Sequence, residues 1–204
     1  MEYIFNQKIM EQFLINIFKI FIFNSNLILN NKKQFNSKIK KIRKQKGRSC
    51  SNFSGYQSND LDCKDKDFSY FIKHIETQAN LIAEHIEIKP ILKLQNFWLN
   101  INSYKDSNRE HTHPGSFFSG VYYLKVPKNS GSIYFKNPNA NFATFYWKPN
   151  HITNFNTVTS TLWKINPTEK QLLIFPSWLE HWVEPNMNKI EERISIAFNV
   201  GIKD

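Results

Sequence analysis

From Leu92 onward the chain is a succession of short apolar stretches cut apart by glycine, proline and asparagine. No other feature restricts its fold as much. Strands are predicted at Leu92–Ile101, Arg109–His113, Phe118–Lys125, Gly131–Phe135, Thr144–Trp147, Thr157–Thr161, Gln171–Phe175, His181–Val183 and Arg193–Val200, where β-branched and aromatic residues concentrate. No helical period intervenes, which points to a mainly β sandwich or barrel, with a jelly roll as the natural closure.

Upstream of Pro90 the period changes. Phe68, Phe71, Ile72, Ile75, Ala79, Ile82 and Ile86 recur at helical spacing, which predicts a helix over Phe68–Ile86 capped by Asp65 or Asp67. His74 and His85 fall off that stripe and read as solvent-facing. Met10, Phe13, Leu14, Ile17 and Phe21 predict an amphipathic helix within residues 1–30, packed on the domain's own sheet. A membrane-surface or partner helix is the other reading. Residues 31–49 read as a basic linker rather than an RNA-binding arm, with Lys32, Lys33, Lys38, Lys40, Lys41, Arg43, Lys44, Lys46 and Arg48 crowded together. The chain thus divides into residues 1–48, a helix and basic linker, and residues 49–204, the β domain with a flanking helix.

The net charge of +10 belongs to that linker, and the sequence after it is close to neutral. On charge grounds the folded domain is therefore not expected to bind nucleic acid. Cys50 and Cys63 have no CxxC spacing and read as thiols in a reducing compartment. The apolar run Phe13–Phe23 is interrupted by Lys19 and is shorter than the roughly 20 residues a bilayer span needs. No signal-peptide pattern opens the chain, so a cytoplasmic protein is expected. A homodimer is compatible with the sequence.

Chemistry concentrates in NREHTHPGSFFSGVYYL, Asn108 to Leu124. His111 and His113 stand two apart, so on a strand their side chains share a face. Two imidazoles on one face begin a chelate for iron, zinc, copper or nickel. His181, after LLIFPSWLE, is the best third ligand, and three protein ligands leave positions open for catalysis. Arg193 opens RISIAFN. A buried unpaired arginine is costly, so it needs an anionic partner; Glu191 and Glu192 offer a surface salt bridge as the plainer explanation. Ser195 lies on the same side of that strand, and Asn100 and Asn102 share one side of an earlier one. Trp178, Trp182 and Trp147 are candidates to line a pocket, with aromatic core packing as the alternative.

HTHPGSFFSGVYYL, GSIYF, LLIFPSWLEHWVEPN and ERISIAFN, with GYQSNDL and WLNIN upstream, resemble the 2-oxoglutarate–Fe(II) oxygenase family that carries HxHP and SGVYYL. The resemblance covers about residues 48 to 200 and extends more distantly to prolyl-hydroxylase-like enzymes. It implies a double-stranded β-helix, with His111 and His181 as iron ligands. His113 stands where the wider superfamily has Asp or Glu, which leaves two readings: a three-His iron site, or a metal held without His113. It also implies that Arg193, Ser195 and Tyr123 hold the distal carboxylate of 2-oxoglutarate, with Asn100 and Asn102 toward its keto-acid end. Fe(II), 2-oxoglutarate and O2 would then hydroxylate a substrate and release succinate and CO2. Two other readings stand beside this one: a cupin-like three-His enzyme that does not use 2-oxoglutarate, and a non-catalytic jelly-roll binding module. The substrate, a small molecule or a protein, is not named by the sequence.

Overall fold

A computed structural model describes residues 19–30, 32–89 and 91–202. Among the described residues, eleven strands form two antiparallel sheets around one interior. They are β1 (Phe23–Asn26), β2 (Asn52–Phe53), β3 (Tyr56–Gln57), β4 (Leu92–Asn102), β5 (Ser107–His111), β6 (Phe118–Lys125), β7 (Ile133–Lys136), β8 (Leu162–Ile165), β9 (Gln171–Pro176), β10 (His181–Val183) and β11 (Arg193–Ile202). The larger sheet runs β1-β9-β6-β11-β4-β3 and the smaller β2-β5-β10-β7-β8. This is the expected jelly roll, a double-stranded β-helix with helices flanking its N-terminal side. Three helices are present among the described residues: α1 (Lys32–Ile42), α2 (Ser69–His85) and α3 (Ala140–Tyr146).

Period-two alternation in the long strands makes two different faces. On β11, Ile194 through Val200 pairs with both β4 and β6, so the strand is central and both its faces are covered. Ile196, Phe198 and Val200 join Phe97, Leu99 and Ile101 of β4 in a core cluster with Phe71, Ile75 and Ala79 of α2. Phe71 lies at ring contact with Phe97, Tyr122 and Phe198, 5.8–6.1 Å between centroids. The alternate residues, Arg193, Ser195 and Ala197 on β11 and Trp98, Asn100 and Asn102 on β4, line a cavity between the sheets.

The long helix follows the sequence reading. A short 3-10 turn, Lys66–Phe68, leads into α2, and Asp65 accepts from the Asp67 amide, as a cap should. The basic segment does not behave as a linker. It folds into α1, because Phe35, Ile39 and Ile42 recur at helical spacing and are buried. Phe35 packs edge-on to Phe68 and Phe71 at 5.1 and 5.9 Å. Three apolar residues among lysines make too narrow a stripe for composition to reveal. The helix read over residues 1–30 is also corrected where the structure describes it. Residues 19–22 lack helical structure, and β1 pairs with the edge of β9, leaving residues 1–18, with Met10, Phe13, Leu14 and Ile17, outside the described residues.

Two strand expectations fail in the segment between β7 and β8. Thr144–Trp147 falls at the end of α3 and in the turn after it. Asn137 opens this helix, its side chain accepting from the Asn139 amide at 2.9 Å. Thr157–Thr161 is a turn built on Asn156, whose Oδ1 accepts from the amides of Val158 and Thr159 at 2.8 and 3.2 Å. In both places a side-chain acceptor captures the backbone and overrides strand preference.

Candidate metal centre

Strand register brings the histidines together. His181 pairs with His111 across β10 and β5, and directly opposed residues point to one face. His113 lies two residues past the end of β5. Its backbone amide donates to the Ser177 carbonyl at 2.9 Å, which ties it to the turn that delivers His181. One ligand-capable atom from each of the three histidines lies within 4.8 Å of the others. Ring centroids are 4.4 Å apart for His111–His181, 4.9 Å for His111–His113 and 5.2 Å for His113–His181.

Two rings have their tautomer set by the backbone. His111 Nδ1 sits 2.6 Å from the Arg109 carbonyl, and His181 Nδ1 sits 2.8 Å from that of Leu179. A carbonyl only accepts, so each Nδ1 carries the proton and each Nε2 keeps its lone pair for a metal. Burial holds all three rings neutral. It pushes His181 down to about 3 and His113 down to about 4, with the neighbouring His111 adding to both shifts. Burial likewise lowers His111, against the Arg109 carbonyl.

Arg193 stands on the same inward face, 1 % exposed. The plainer explanation is ruled out: Glu191 pairs with Lys125 and Glu192 with Arg43. The guanidinium instead donates through Nη1 to the carbonyls of Ser130, Gly131 and Glu184. Gly131 has φ of +83°, and a Cβ there would meet the Glu184 carbonyl oxygen at 2.5 Å, so the cradle requires glycine. Nη2 is buried and has no partner among the described residues. Burial lowers the Arg193 pKa, opposed by Tyr123, Asp106 and Glu184. A guanidinium does not lose its proton in a protein, so a buried cation with a spare donor faces the cavity.

Tyr123 of β6 and Asn100 of β4 both pair with Ser195, while Asn102 pairs with Arg193. Burial pushes the Tyr123 phenol up to about 12, so it stays a neutral hydroxyl donor. Asn100 Oδ1 is buried without a partner among the described residues. His111, His113, His181, Arg193, Ser195, Tyr123, Asn100 and Asn102 line one cavity that opens to solvent, a concave site with a few convergent polar groups.

The tryptophans lie elsewhere. Trp178 is 57 % exposed, Trp182 stacks on Tyr134 at 5.1 Å, and Trp147 is exposed after α3; none lines the cavity. Trp98 does, with its ring 5.8 Å from that of His113. The sequence reading missed it, although the period-two pattern of WLNIN puts Trp98 on one face with Asn100 and Asn102. It also missed a buried polar chain beneath the site. Ser119 Oγ lies 2.8 Å from Ser177 Oγ and donates to Asn199 Oδ1, and Asn199 Nδ2 donates to Asn96 Oδ1.

The donor set fits iron, since neutral imidazole suits it, and the unpartnered Arg193 Nη2 fits one carboxylate of 2-oxoglutarate. Comparison with known proteins agrees. The profile of a family described as "Putative 2OG-Fe(II) oxygenase" matches residues 96–199. No curated protein matches the chain. Among solved structures, a prolyl-4-hydroxylase of Pseudomonas putida is similar with a TM-score of 0.62 at 11 % identity, covering 91 % of this chain and 94 % of that one. A viral collagen prolyl hydroxylase of Paramecium bursaria Chlorella virus-1, in complex with 2-oxoglutarate, gives 0.57 at 12 %, covering 88 % and 94 %. HygX of Streptomyces hygroscopicus, bound to nickel and 2-oxoglutarate, gives 0.57 at 11 %, covering 89 % and 83 %.

Proposed function

Because the chain belongs to the 2-oxoglutarate–Fe(II) oxygenase family, we propose that His111, His113 and His181 hold its iron and that Arg193 holds the distal carboxylate of its cosubstrate. Together, iron, 2-oxoglutarate and O2 supply oxidative decarboxylation to succinate and CO2 coupled to hydroxylation of a substrate. The protein's part is binding, orientation and exclusion of water. The observation that carries the assignment is the buried Arg193, with its spare Nη2 donor on the same cavity as three neutral imidazoles.

Each side chain has a separate task. His111 and His181 offer Nε2 on rings fixed by their carbonyl partners. His113 takes the place of the usual carboxylate. Three neutral ligands leave both charges of a ferrous ion uncompensated, so this site favours a dianionic cosubstrate more than a carboxylate-bearing set would. Arg193, Ser195 and Tyr123 supply donors around one carboxylate, and Arg193 gains the anionic partner its burial demands. Asn100 and Asn102 lie toward the keto-acid end. The loops outside the cavity, with Trp147, Trp178 and Trp182, are where substrate specificity would reside.

No described helix is long and apolar enough to cross a membrane. Cys50 and Cys63 are both thiols, which supports assignment to a reducing cytoplasm.

Succinate release from 2-oxoglutarate in air, measured with added Fe(II), tests the assignment. The wild type is expected to turn over slowly even without substrate. Arg193→Ala should need far more 2-oxoglutarate, and His113→Ala should lose turnover. Metal binding without any response to 2-oxoglutarate would replace this reading with the cupin-like one.

A further inference from the structure

Nine of the chain's 27 basic residues fall within residues 32–48, where there is no acidic residue. In a flexible linker such a run would be a solvated spacer. Here its first eleven residues form a helix, α1, locked to the domain by Phe35, Ile39 and Ile42, all buried, so its charges are displayed on a fixed surface. At 100° per residue, Lys33, Lys40 and Lys41 lie on the side away from that apolar stripe, and Lys44 follows in the turn just past the helix. All four are exposed.

Compensation is selective. Lys38 pairs with Asp65 at 2.5 Å, Arg43 with Glu192 at 3.0 Å and Arg48 with Asp60 at 2.5 Å. These three flank the buried stripe or follow the helix, and they fasten it to the rest of the fold. Lys33, Lys40, Lys41 and Lys44 make no ion pair among the described residues. The structure therefore separates basic residues that hold α1 in place from basic residues that have only solvent to face.

We propose that this outward face of α1 binds the phosphate backbone of a nucleic acid. An anionic membrane fits less well. A helix that lies in a bilayer interface inserts an apolar face, but the apolar face of α1 is spent in the core, and its other exposed positions are Gln34, Asn36 and Ser37. An acidic protein surface would be expected to meet some apolar or aromatic anchor, and α1 displays none. Several unpaired lysines on one fixed polar surface suit a repeating phosphate chain, and such contacts carry affinity without base sequence. The face also continues toward the active site: beyond α1, Lys46 is exposed, and the Arg48 guanidinium lies 5.6 Å over Trp98, which lines the cavity.

Fluorescence anisotropy of a labelled 20-base-pair DNA duplex with the full chain tests this. Four phosphate contacts predict a slope of about −3.6 for log affinity against log salt. The K33Q/K40Q/K41Q/K44Q variant should bind at least tenfold more weakly in 50 mM salt with a flatter slope. The corresponding Lys→Arg variant should retain binding. Thermal melting of both should match the wild type, because all four positions are solvent-facing. Absence of saturable binding at 50 mM salt would overturn the proposal, as would undiminished binding by the glutamine variant. So would equally lysine-dependent binding to phosphatidylserine vesicles, or competition by poly-glutamate as effective as that by unlabelled duplex.

Discussion

The two faces of the larger sheet are built from the same strands and do opposite things. On the outer face, under α1 and α2, β4 and β11 contribute Phe97, Leu99, Ile101, Ile196, Phe198 and Val200, all in one apolar cluster. On the inner face, one residue out of step, the same strands contribute Asn100, Asn102, Arg193 and Ser195, all buried. The outer face stabilises the fold. The inner face costs stability, since it buries a guanidinium with a spare donor and faces imidazoles of the smaller sheet that burial hinders from taking up a proton. A single alternation, read on opposite sides of one sheet, separates the folding function from the chemical one.

Removing the largest outer-face contact should break stability and leave chemistry alone. Phe71→Ala deletes a ring packed against Phe97, Tyr122 and Phe198 and should cost about 3–5 kcal/mol in urea unfolding. The folded fraction should bind metal as the wild type does. The converse change is His181→Ala. It should lower metal affinity by more than about a hundredfold, beyond the 10–100-fold typical of residues that only support a ligand. Isothermal titration with Fe(II) under nitrogen measures this, and the metal-free melting temperature should not fall.

Arg193→Ala should weaken 2-oxoglutarate binding by at least about thirtyfold, the lower end of the effect of removing one partner of a buried charge pair. Equilibrium dialysis of the iron-loaded protein reads it directly, while iron affinity should be unchanged.

Acidification probes the cost of burying the histidines that face it from the smaller sheet. His113 and His181 titrate at about 4 and about 3 in the fold, against about 6.5 in an unfolded chain. Above pH 6.5 both states are neutral and stability is at its full value. Below it the unfolded chain takes up protons that the folded chain refuses, so stability falls as pH drops toward 4. The metal-free protein should lose on the order of 1–2 kcal/mol per histidine between pH 7 and pH 5. His113→Asn should lose less over the same interval.

The lining of the cavity was more legible in the sequence than the helices and turns. HxH spacing, a distal histidine and a strand-opening arginine are local patterns, and strand register then decides only how they meet. His181 opposite His111 and Tyr123 opposite Ser195 are long-range pairings that alternation permits but does not specify. Trp98 stands in the same alternation as Asn100 and Asn102, but nothing in its own residue type separates a cavity-lining tryptophan from a core one. The Ser119–Ser177–Asn199 chain joins three distant strands and turns, and no local signal marks it. Helix α1 was obscured because five lysines dominate its eleven residues while three apolar ones fix its structure. The segment from Asn137 to Thr161 misled because its threonines and aromatics favour strands, whereas Asn137 and Asn156 capture the backbone first.

One measurement addresses the central claim that the inner face is a site for iron and 2-oxoglutarate. Anaerobic protein is loaded with Fe(II) and titrated with 2-oxoglutarate while the visible spectrum is recorded, with His181→Ala and Arg193→Ala alongside. The account predicts a charge-transfer band in the wild type, no band without His181, and a band that needs far more cosubstrate without Arg193. Stoichiometric iron with no band at saturating 2-oxoglutarate, or a band indifferent to both substitutions, would contradict it.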